Sequence, residues 1–143
     1  GVSHENKSHE LNWYVKRWLM PFWVWLNDLI SPGQNEQQKS RGAYLVDTLG
    51  HCNECHTPRN RFGFLDWTQR LQGNPDFDAP DISQADEGIA KWSDEELIDL
   101  FRYGALPDGD YVADHMGEVV EYSTSKWNDD DLHSVIRYLR SIR

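Results

Sequence analysis

The sequence predicts an all-α fold with three to five helices. Two helix starts are marked by capping residues, since Ser93 is followed three residues later by Glu96 and Asn128 is followed by three aspartates. These patterns are typical of helix N-termini, because the side chains accept hydrogen bonds from backbone N–H groups that lack a partner within the helix. No segment reads convincingly as a strand. The Gly-, Pro- and Asp-rich residues 66–90 are predicted to be irregular, with a short helix at most.

The motif Cys52-Asn-Glu-Cys55-His56 contains the only two cysteines among the 143 residues. Cys-x-x-Cys-His is the attachment signature of haem c. Two thiols three residues apart reach the two vinyl groups on one edge of the porphyrin, and the next residue directs its imidazole at the iron. We therefore predict one haem c, held covalently through Cys52 and Cys55, with His56 as an axial ligand of the iron.

Three other interpretations of the cysteine pair stay open at this stage. A thioredoxin-like redox pair needs a βαβ pattern around the motif, and the sequence shows none. A structural zinc site usually needs a second pair of cysteine or histidine ligands, and the remaining histidines are scattered. A disulfide between cysteines three residues apart would be strained and would close only a small loop.

The composition suits an acidic protein with a small polypeptide core. Hydrophobic residues make up 38% of the chain and the mean hydropathy is −0.75, so an apolar cofactor would add to a lean core. The net charge of −10 argues against nucleic acid as a partner, because phosphates would repel the surface. It favours a redox partner with a basic docking patch. Solubility alone is an equally good explanation of the charge.

Residues 1–35 are predicted to form an N-terminal extension, and residues 36–143 a haem domain. Within the extension, residues 13–30 hold four of the seven tryptophans, and Pro21 suits the first turn of a helix that runs to about Ile30. The simpler interpretation makes this aromatic segment a strut over the haem domain. The alternatives are a docking surface for another domain or a helix that lies in the membrane surface. Residues 31–35 have the composition of a linker.

The haem domain is predicted to begin with a helix over residues 36–49. Gly50 would end this helix with a positive φ. Gly42 and Val46 of the first helix are expected to cross the last helix at Val135 and Tyr138, because a glycine within a helix usually marks the close approach of another helix. The capped helices from Ser93 and Asn128 complete the pattern, and a methionine-bearing loop and a short helix lie between them.

This order of elements resembles the class I c-type cytochromes. The segments that carry the resemblance are Arg41-Gly-Ala-Tyr-Leu-Val46, residues 50–60 around the motif, Pro107-Asp-Gly-Asp-Tyr111 and Met116-Gly-Glu-Val-Val120. They are similar to the haem domains of multi-haem cytochrome c subunits of bacterial membrane-bound alcohol and gluconate-type dehydrogenases. The similarity covers roughly residues 38–143. The chain has a single haem motif, and in this respect it departs from those subunits.

The resemblance implies that Met116 is the second axial ligand of the iron. A thioether suits low-spin iron and raises its reduction potential. His115 is an adjacent competitor, whereas Met20 is expected to fill space among the aromatic residues. Independently of the resemblance, Arg59, Arg61 and Trp67 are candidates to bind the haem propionates, because they follow the motif closely and donate hydrogen bonds. The carbonyl of Pro58 is a candidate acceptor for the second ring nitrogen of His56.

These features together predict an electron-transfer protein with no catalytic residues. It would pass single electrons between periplasmic redox partners, such as a dehydrogenase, an oxidase or another cytochrome. The alternative is a haem enzyme or ligand sensor, peroxidase-like or gas-binding, with a labile sixth ligand. The resemblance implies a periplasmic or otherwise exported protein, although no signal peptide is visible in this chain. The sequence contains no run of about 18 apolar residues, so we predict no membrane-spanning helix.

Overall fold

A computed structural model describes residues 17–30 and 40–142 of the chain. The chain divides into two compact units, Gly1–Pro32 and Gly33–Arg143. Within the described residues there are six helices and one small two-stranded sheet, and this confirms the all-α class and the cytochrome c fold. Residues 13–16 of the aromatic segment, the predicted linker 31–35 and the predicted helix start at 36–39 lie outside the described residues. The predicted domain boundary at residues 35/36 stays a prediction.

The first unit contains helix α1, Met20–Ile30, preceded by one 3₁₀ turn at Arg17–Leu19. Pro21 lies in its first turn, as predicted, where the missing N–H costs nothing because that group has no partner in the helix. Trp18, Phe22, Trp25 and Leu29 are all more than half exposed. Over the described ranges, no helix has both the length and the apolar composition needed to cross a bilayer.

The second unit begins with helix α2, Arg41–Tyr44, which continues as a π-helical turn at Leu45–Leu49. Ser40 caps it by accepting a hydrogen bond from the backbone N–H of Ala43 at 3.1 Å. The prediction that Gly50 ends this helix with a positive φ is wrong, since its φ is −81°. The left-handed residue is the next one, His51, with φ 51°, and the motif helix starts directly after it.

Helix α3, Cys52–His56, carries the Cys-x-x-Cys-His motif and packs on a β-hairpin that the sequence did not predict. Strands β1, Gln72–Asn74, and β2, Ala79–Asp81, pair antiparallel. Gln72 lies opposite Asp81, and Asn74 lies opposite Ala79. A 3₁₀ turn at Pro75–Phe77 joins the strands. Residues 66–90 are therefore more ordered than predicted. The hairpin left no sign in the sequence, because strands of three residues are too short to show an alternating pattern of apolar and polar residues.

Three further helices complete the second unit: α4, Asp94–Tyr103, α5, Asp114–Tyr122, and α6, Asp129–Leu139. The predicted caps are confirmed. The hydroxyl of Ser93 accepts from the N–H of Glu96 at 3.1 Å, and the Glu96 carboxylate accepts from the N–H of Ser93 at 2.7 Å. Asn128 accepts from the N–H of Asp131 at 2.8 Å. Helix α4 ends at Gly104, whose φ of 72° permits the left-handed turn.

The core of the second unit lies where helices α2, α4 and α6 meet. Its buried side chains are Leu45, Val46, Leu71, Ile89, Leu97, Leu100, Phe101, Leu132, Val135, Ile136 and Leu139. The predicted crossing of the first and last helices of this unit is confirmed at Gly42. A Cβ placed there would lie 2.0 Å from the carbonyl oxygen of Ser134 and 2.8 Å from Cβ of Tyr138. Only glycine permits this approach, which joins α2 to α6 and so fixes the frame that carries α3.

Replacing Gly42 with alanine is expected to lower the free energy of unfolding by about 2 kcal/mol, because an added methyl group must push the α6 backbone away. Gly117→Ala is the matched helical control. Its Cβ would meet nothing closer than 3.5 Å, and alanine favours a helix by about 1 kcal/mol over glycine. Denaturant unfolding of both variants measures the difference. Equal stability of the two would contradict the close crossing.

Candidate haem site

The two cysteines lie one turn apart on helix α3 and form no disulfide. Cys55 is exposed and Cys52 is partly buried against the core. Burial, together with the nearby charge of Asp47, raises the pKa of the Cys52 thiol to about 12. A reactive or redox-active cysteine has a lowered pKa instead. The thiol therefore lacks the activated thiolate that a thioredoxin-like pair would use, and no βαβ unit surrounds it among the described residues.

The zinc interpretation finds no support in the part of the chain that the structure describes. There, no group of three or more histidine, cysteine, aspartate or glutamate side chains lies close enough to hold a metal ion. A structural zinc site closes its coordination with four such ligands. The motif thus has two thiols and one imidazole to offer, which is the donor set of a haem c attachment site.

His56 is buried at the end of α3, and a backbone carbonyl fixes its ring. Its Nδ1–H donates to the carbonyl oxygen of Pro80 in strand β2, with 2.7 Å between the nitrogen and the oxygen. A carbonyl can only accept, so Nδ1 carries the proton and Nε2 is left with its lone pair for a metal. The acceptor expected from the sequence, Pro58, instead receives a hydrogen bond from the backbone N–H of Asp66 at 2.8 Å.

The charge state of His56 also suits a ligand of iron. Burial lowers the pKa of the imidazole, and the hydrogen bond to Pro80 and the charge of Asp81 offset this effect only in part. The folded protein therefore favours the neutral ring, which is the form that binds metals. His56 thus combines a fixed tautomer, a fixed orientation and an available Nε2.

Trp67 provides a further test of whether these residues fit a haem. Its indole N–H is buried and has no hydrogen-bond partner among the residues that the structure describes. Buried indole N–H groups usually find an acceptor. A carboxylate from a bound group, such as a haem propionate, would supply one. The two thiols, the imidazole of His56 and this unpartnered donor together fit haem c.

The two arginines predicted as propionate ligands lie in more exposed positions. Arg59 forms an ion pair with Glu54 of α3 and donates to the carbonyl of Gly63 at 3.0 Å. The guanidinium of Arg61 lies 4.7 Å from the centre of the Phe62 ring. The structure therefore brings Arg59 to the side of the motif helix and leaves Arg61 in the following loop. The propionate role of both arginines stays a prediction.

Met116 and His115 differ in their surroundings, although they are neighbours in the first turn of α5. Met116 is partly buried, whereas the His115 side chain is 95% exposed and lies 4.0 Å from the Glu118 carboxylate. The helix begins at Asp114 in the left-handed region, with φ 50°. A positive φ is uncommon for a residue other than glycine and usually reflects a constraint from the surrounding fold.

The sequence analysis did not predict the polar network that Asp47, Asn53, Arg70 and Tyr138 form at α3. Asp47 accepts hydrogen bonds from Asn53 at 2.7 Å and from Tyr138 at 2.8 Å, and it forms an ion pair with Arg70. The sequence carried one signal for this group. Asp47 lies one helical turn after Ala43, which is fully buried. An acidic residue in the π-helical turn therefore shares the face of the helix that points into the core.

Comparison with known proteins identifies the class to which the site belongs. The chain is 32% identical to the cytochrome c subunit of a quinone alcohol dehydrogenase from Gluconobacter oxydans, and the aligned region includes 99% of the chain and 33% of that subunit. The chain is a c-type cytochrome. It is also 38% identical to the fructose dehydrogenase cytochrome subunit of Gluconobacter japonicus, over 72% of the chain and 22% of that subunit. No protein-family model matches the chain.

A third relative of this cytochrome is a dihaem c-type cytochrome from Cereibacter sphaeroides. It is 34% identical over 85% of the chain and 39% of that protein. The chain spans between about a fifth and two fifths of the length of these three relatives. A cytochrome c subunit transfers electrons for a dehydrogenase, so the relatives imply electron transfer and haem c for this domain.

Tyr138→Phe is expected to remove an alkaline sensitivity of the cytochrome. Burial raises the pKa of Tyr138 from 10.0 to about 12, so the folded state keeps its phenol neutral where the unfolded state ionises. The stabilising contribution of the phenol is therefore present below pH 10 and is lost as the pH rises from 10 towards 12. Over that range the free energy of unfolding of the native protein should fall relative to that of Tyr138→Phe.

The matched control is Tyr103→Phe, because Tyr103 is 65% exposed. Denaturant unfolding at several pH values measures all three proteins, and Tyr103→Phe should follow the native curve. Parallel curves for native protein and Tyr138→Phe would contradict the buried neutral phenol.

Proposed function

We propose that this cytochrome is a single-electron carrier with one haem c, attached through Cys52 and Cys55 and ligated by His56 and Met116. The hydrogen bond from His56 to Pro80 carries the proposal, because it prepares a neutral imidazole to bind iron through Nε2. When bound, haem c supplies a one-electron redox centre. The single Cys-x-x-Cys-His motif supports one haem for this chain.

Each of these side chains has a distinct task in the carrier. Cys52 and Cys55 hold the haem on α3, so that His56 keeps its position through many redox cycles. Met116 would provide the second protein ligand of the iron and would raise the reduction potential. Two protein ligands leave no open position for a substrate, so the chain transfers electrons and transforms no substrate itself. Trp67 is the best supported candidate for a propionate, because its indole N–H is buried and no group in residues 17–30 or 40–142 accepts a hydrogen bond from it.

Exposure favours Met116 over His115 as the second axial ligand. A ligand must be turned towards the protein interior, and the His115 side chain is almost completely exposed whereas Met116 is partly buried. A labile sixth position, as in a haem enzyme or a gas sensor, would be expected if neither side chain bound the iron. The identity of this ligand therefore separates the carrier from the alternative.

The redox partners of the carrier are proposed from charge and from the relatives. Residues 40–142 contain 20 acidic and 9 basic side chains, a net charge of −11, so the charge of the chain is concentrated in the haem domain. A basic docking patch on a periplasmic partner would be attracted to this surface. The relatives are cytochrome c subunits of dehydrogenases, and a dehydrogenase is accordingly the proposed electron donor. An oxidase or another cytochrome would receive the electrons.

The aromatic segment, residues 13–30, is proposed to dock the protein to an apolar surface of a membrane or a partner domain. Within its described part, four large apolar side chains are more than half exposed: Trp18, Phe22, Trp25 and Leu29. Contiguous exposed apolar side chains usually mark an interaction site. Tryptophan suits the boundary between water and lipid, because one end of its ring system is apolar and the other is polar.

Met116→Ala is expected to abolish the far-red absorption band that reports methionine ligation of ferric haem c, and to lower the reduction potential. Met20→Ala is the matched control, since the chain contains only these two methionines. The absorption spectrum and a redox titration of each purified protein measure the outcome. Retention of the band in Met116→Ala, or its loss in Met20→Ala, would contradict Met116 as the ligand.

Replacing Phe22, Trp25 and Leu29 together with serine is expected to weaken binding to uncharged phosphatidylcholine vesicles by roughly tenfold or more, because even one fully buried apolar side chain contributes about 1.5–3 kcal/mol. The haem content should not change. Phe77→Ser, at an equally exposed phenylalanine of the haem domain, is the control. Vesicle co-sedimentation measures binding. If the native protein does not sediment with vesicles, the membrane is excluded as the docking surface and a partner domain remains.

A further inference from the structure

A buried ion pair lies beside the motif helix and includes none of the residues proposed to bind the haem. Arg70 is 7% exposed, and the side chain of Asp47 is 10% exposed. A guanidinium group stays charged at any pH the protein meets. A buried pair of this kind keeps both charges only when each has compensating partners. The salt bridge therefore lies largely out of contact with solvent.

The ion pair is joined to α3 through the side chain of Asn53, which Thr57 in turn holds by a hydrogen bond. Asn53, which lies between the two cysteines, donates to Asp47 at 2.7 Å and accepts from Nε of Arg70 at 3.4 Å. Thr57 directly follows His56, and its hydroxyl donates to the same oxygen of Asn53 at 3.0 Å. The ion pair thus lies against the helix that carries every motif ligand.

The other side of the pair is closed by the last helix and by an aromatic ring. The phenol of Tyr138 donates to Asp47 at 2.8 Å and accepts from Arg70. The guanidinium carbon of Arg70 lies 5.2 Å from the Tyr138 ring centre and 5.4 Å from the Trp67 ring centre. Water is therefore largely kept from the pair, and its charges act through a medium of low dielectric constant.

We propose that Asp47 and Arg70 act on the reduction potential of the haem in opposite directions, as two opposed charges beside the motif helix. The inference rests on the proposed function. An uncompensated cation near the iron favours the reduced state, and an uncompensated anion favours the oxidised state. Each charge reaches the motif, since Asp47 raises the pKa of the Cys52 thiol and Arg70 lowers it. The pair thus acts on the potential without touching the iron.

The test compares the reduction potentials of single and double variants of the full chain. Asp47→Asn removes the negative charge beside Arg70 and is expected to raise the potential. Arg70→Gln leaves Asp47 uncompensated and is expected to lower it. The double variant Asp47→Asn/Arg70→Gln should lie between the two single variants and near the native value. Redox titration measures the potential, and the spectrum shows whether the axial ligands are unchanged.

Two controls separate charge from packing. Tyr138→Phe removes a hydroxyl from the network without changing its charge, so the potential should stay closest to the native value. Asp129→Asn removes an identical charge from the surface ion pair with Arg102, where Asp129 is 76% exposed. Solvent screens that charge, so its loss should shift the potential much less than Asp47→Asn does.

Shifts of opposite sign in the two single variants support the proposal. Shifts of the same sign overturn it, because a purely structural role would open the haem to water in both variants. Loss of haem from both single variants also overturns it, since the pair would then serve folding alone. If only one single variant retains haem, a shift of its potential in the expected direction supports the proposal, and a shift in the other direction overturns it. Absence of haem from the native protein would instead refute the proposed function.

Discussion

The hydrogen bond between His56 and the carbonyl of Pro80 is the constraint on which the rest of the site depends. Helix α3 has only five residues, and a helix of that length is not stable by itself. The hairpin places Pro80 opposite the ring, and the ring in turn is fixed with Nε2 available. This hydrogen bond therefore has three effects. It joins the motif to the sheet, selects the tautomer of the imidazole and sets the direction in which the imidazole can bind iron.

The surroundings of α3 combine a lean apolar core with a polar frame. Asp47, Asn53, Arg70 and Tyr138 are connected by hydrogen bonds that join α2, α3 and α6. Such a network is directional, so it specifies one arrangement of the helices where apolar contacts alone would allow several. It is also sensitive, because removing one partner of a buried ion pair typically costs about 3–5 kcal/mol. Haem would add apolar volume to this lean core, in agreement with the low hydrophobic content of the chain.

Local interactions made much of the fold predictable from the sequence. The caps of α4 and α6 depend on side chains within three residues of Ser93 and Asn128, and the motif names its own cysteines and histidine. The crossing of the first and last helices at Gly42 was also predicted, but other features that depend on tertiary structure were missed. The hairpin has no alternating pattern, Pro80 replaces Pro58 as the acceptor from His56, and His51 takes the positive φ expected of Gly50. The ion pair was missed as well, because its partners lie 23 residues apart and the bridging tyrosine lies 91 residues from Asp47.

The most direct test of the account is the intact mass of the protein after export from a cell that matures c-type cytochromes, followed by mass analysis of the peptide that contains residues 52–56. The account predicts that the protein gains the mass of one haem, that the added mass stays on this peptide after denaturation, and that neither cysteine reacts with a thiol reagent. Two free thiols and no added mass would contradict it.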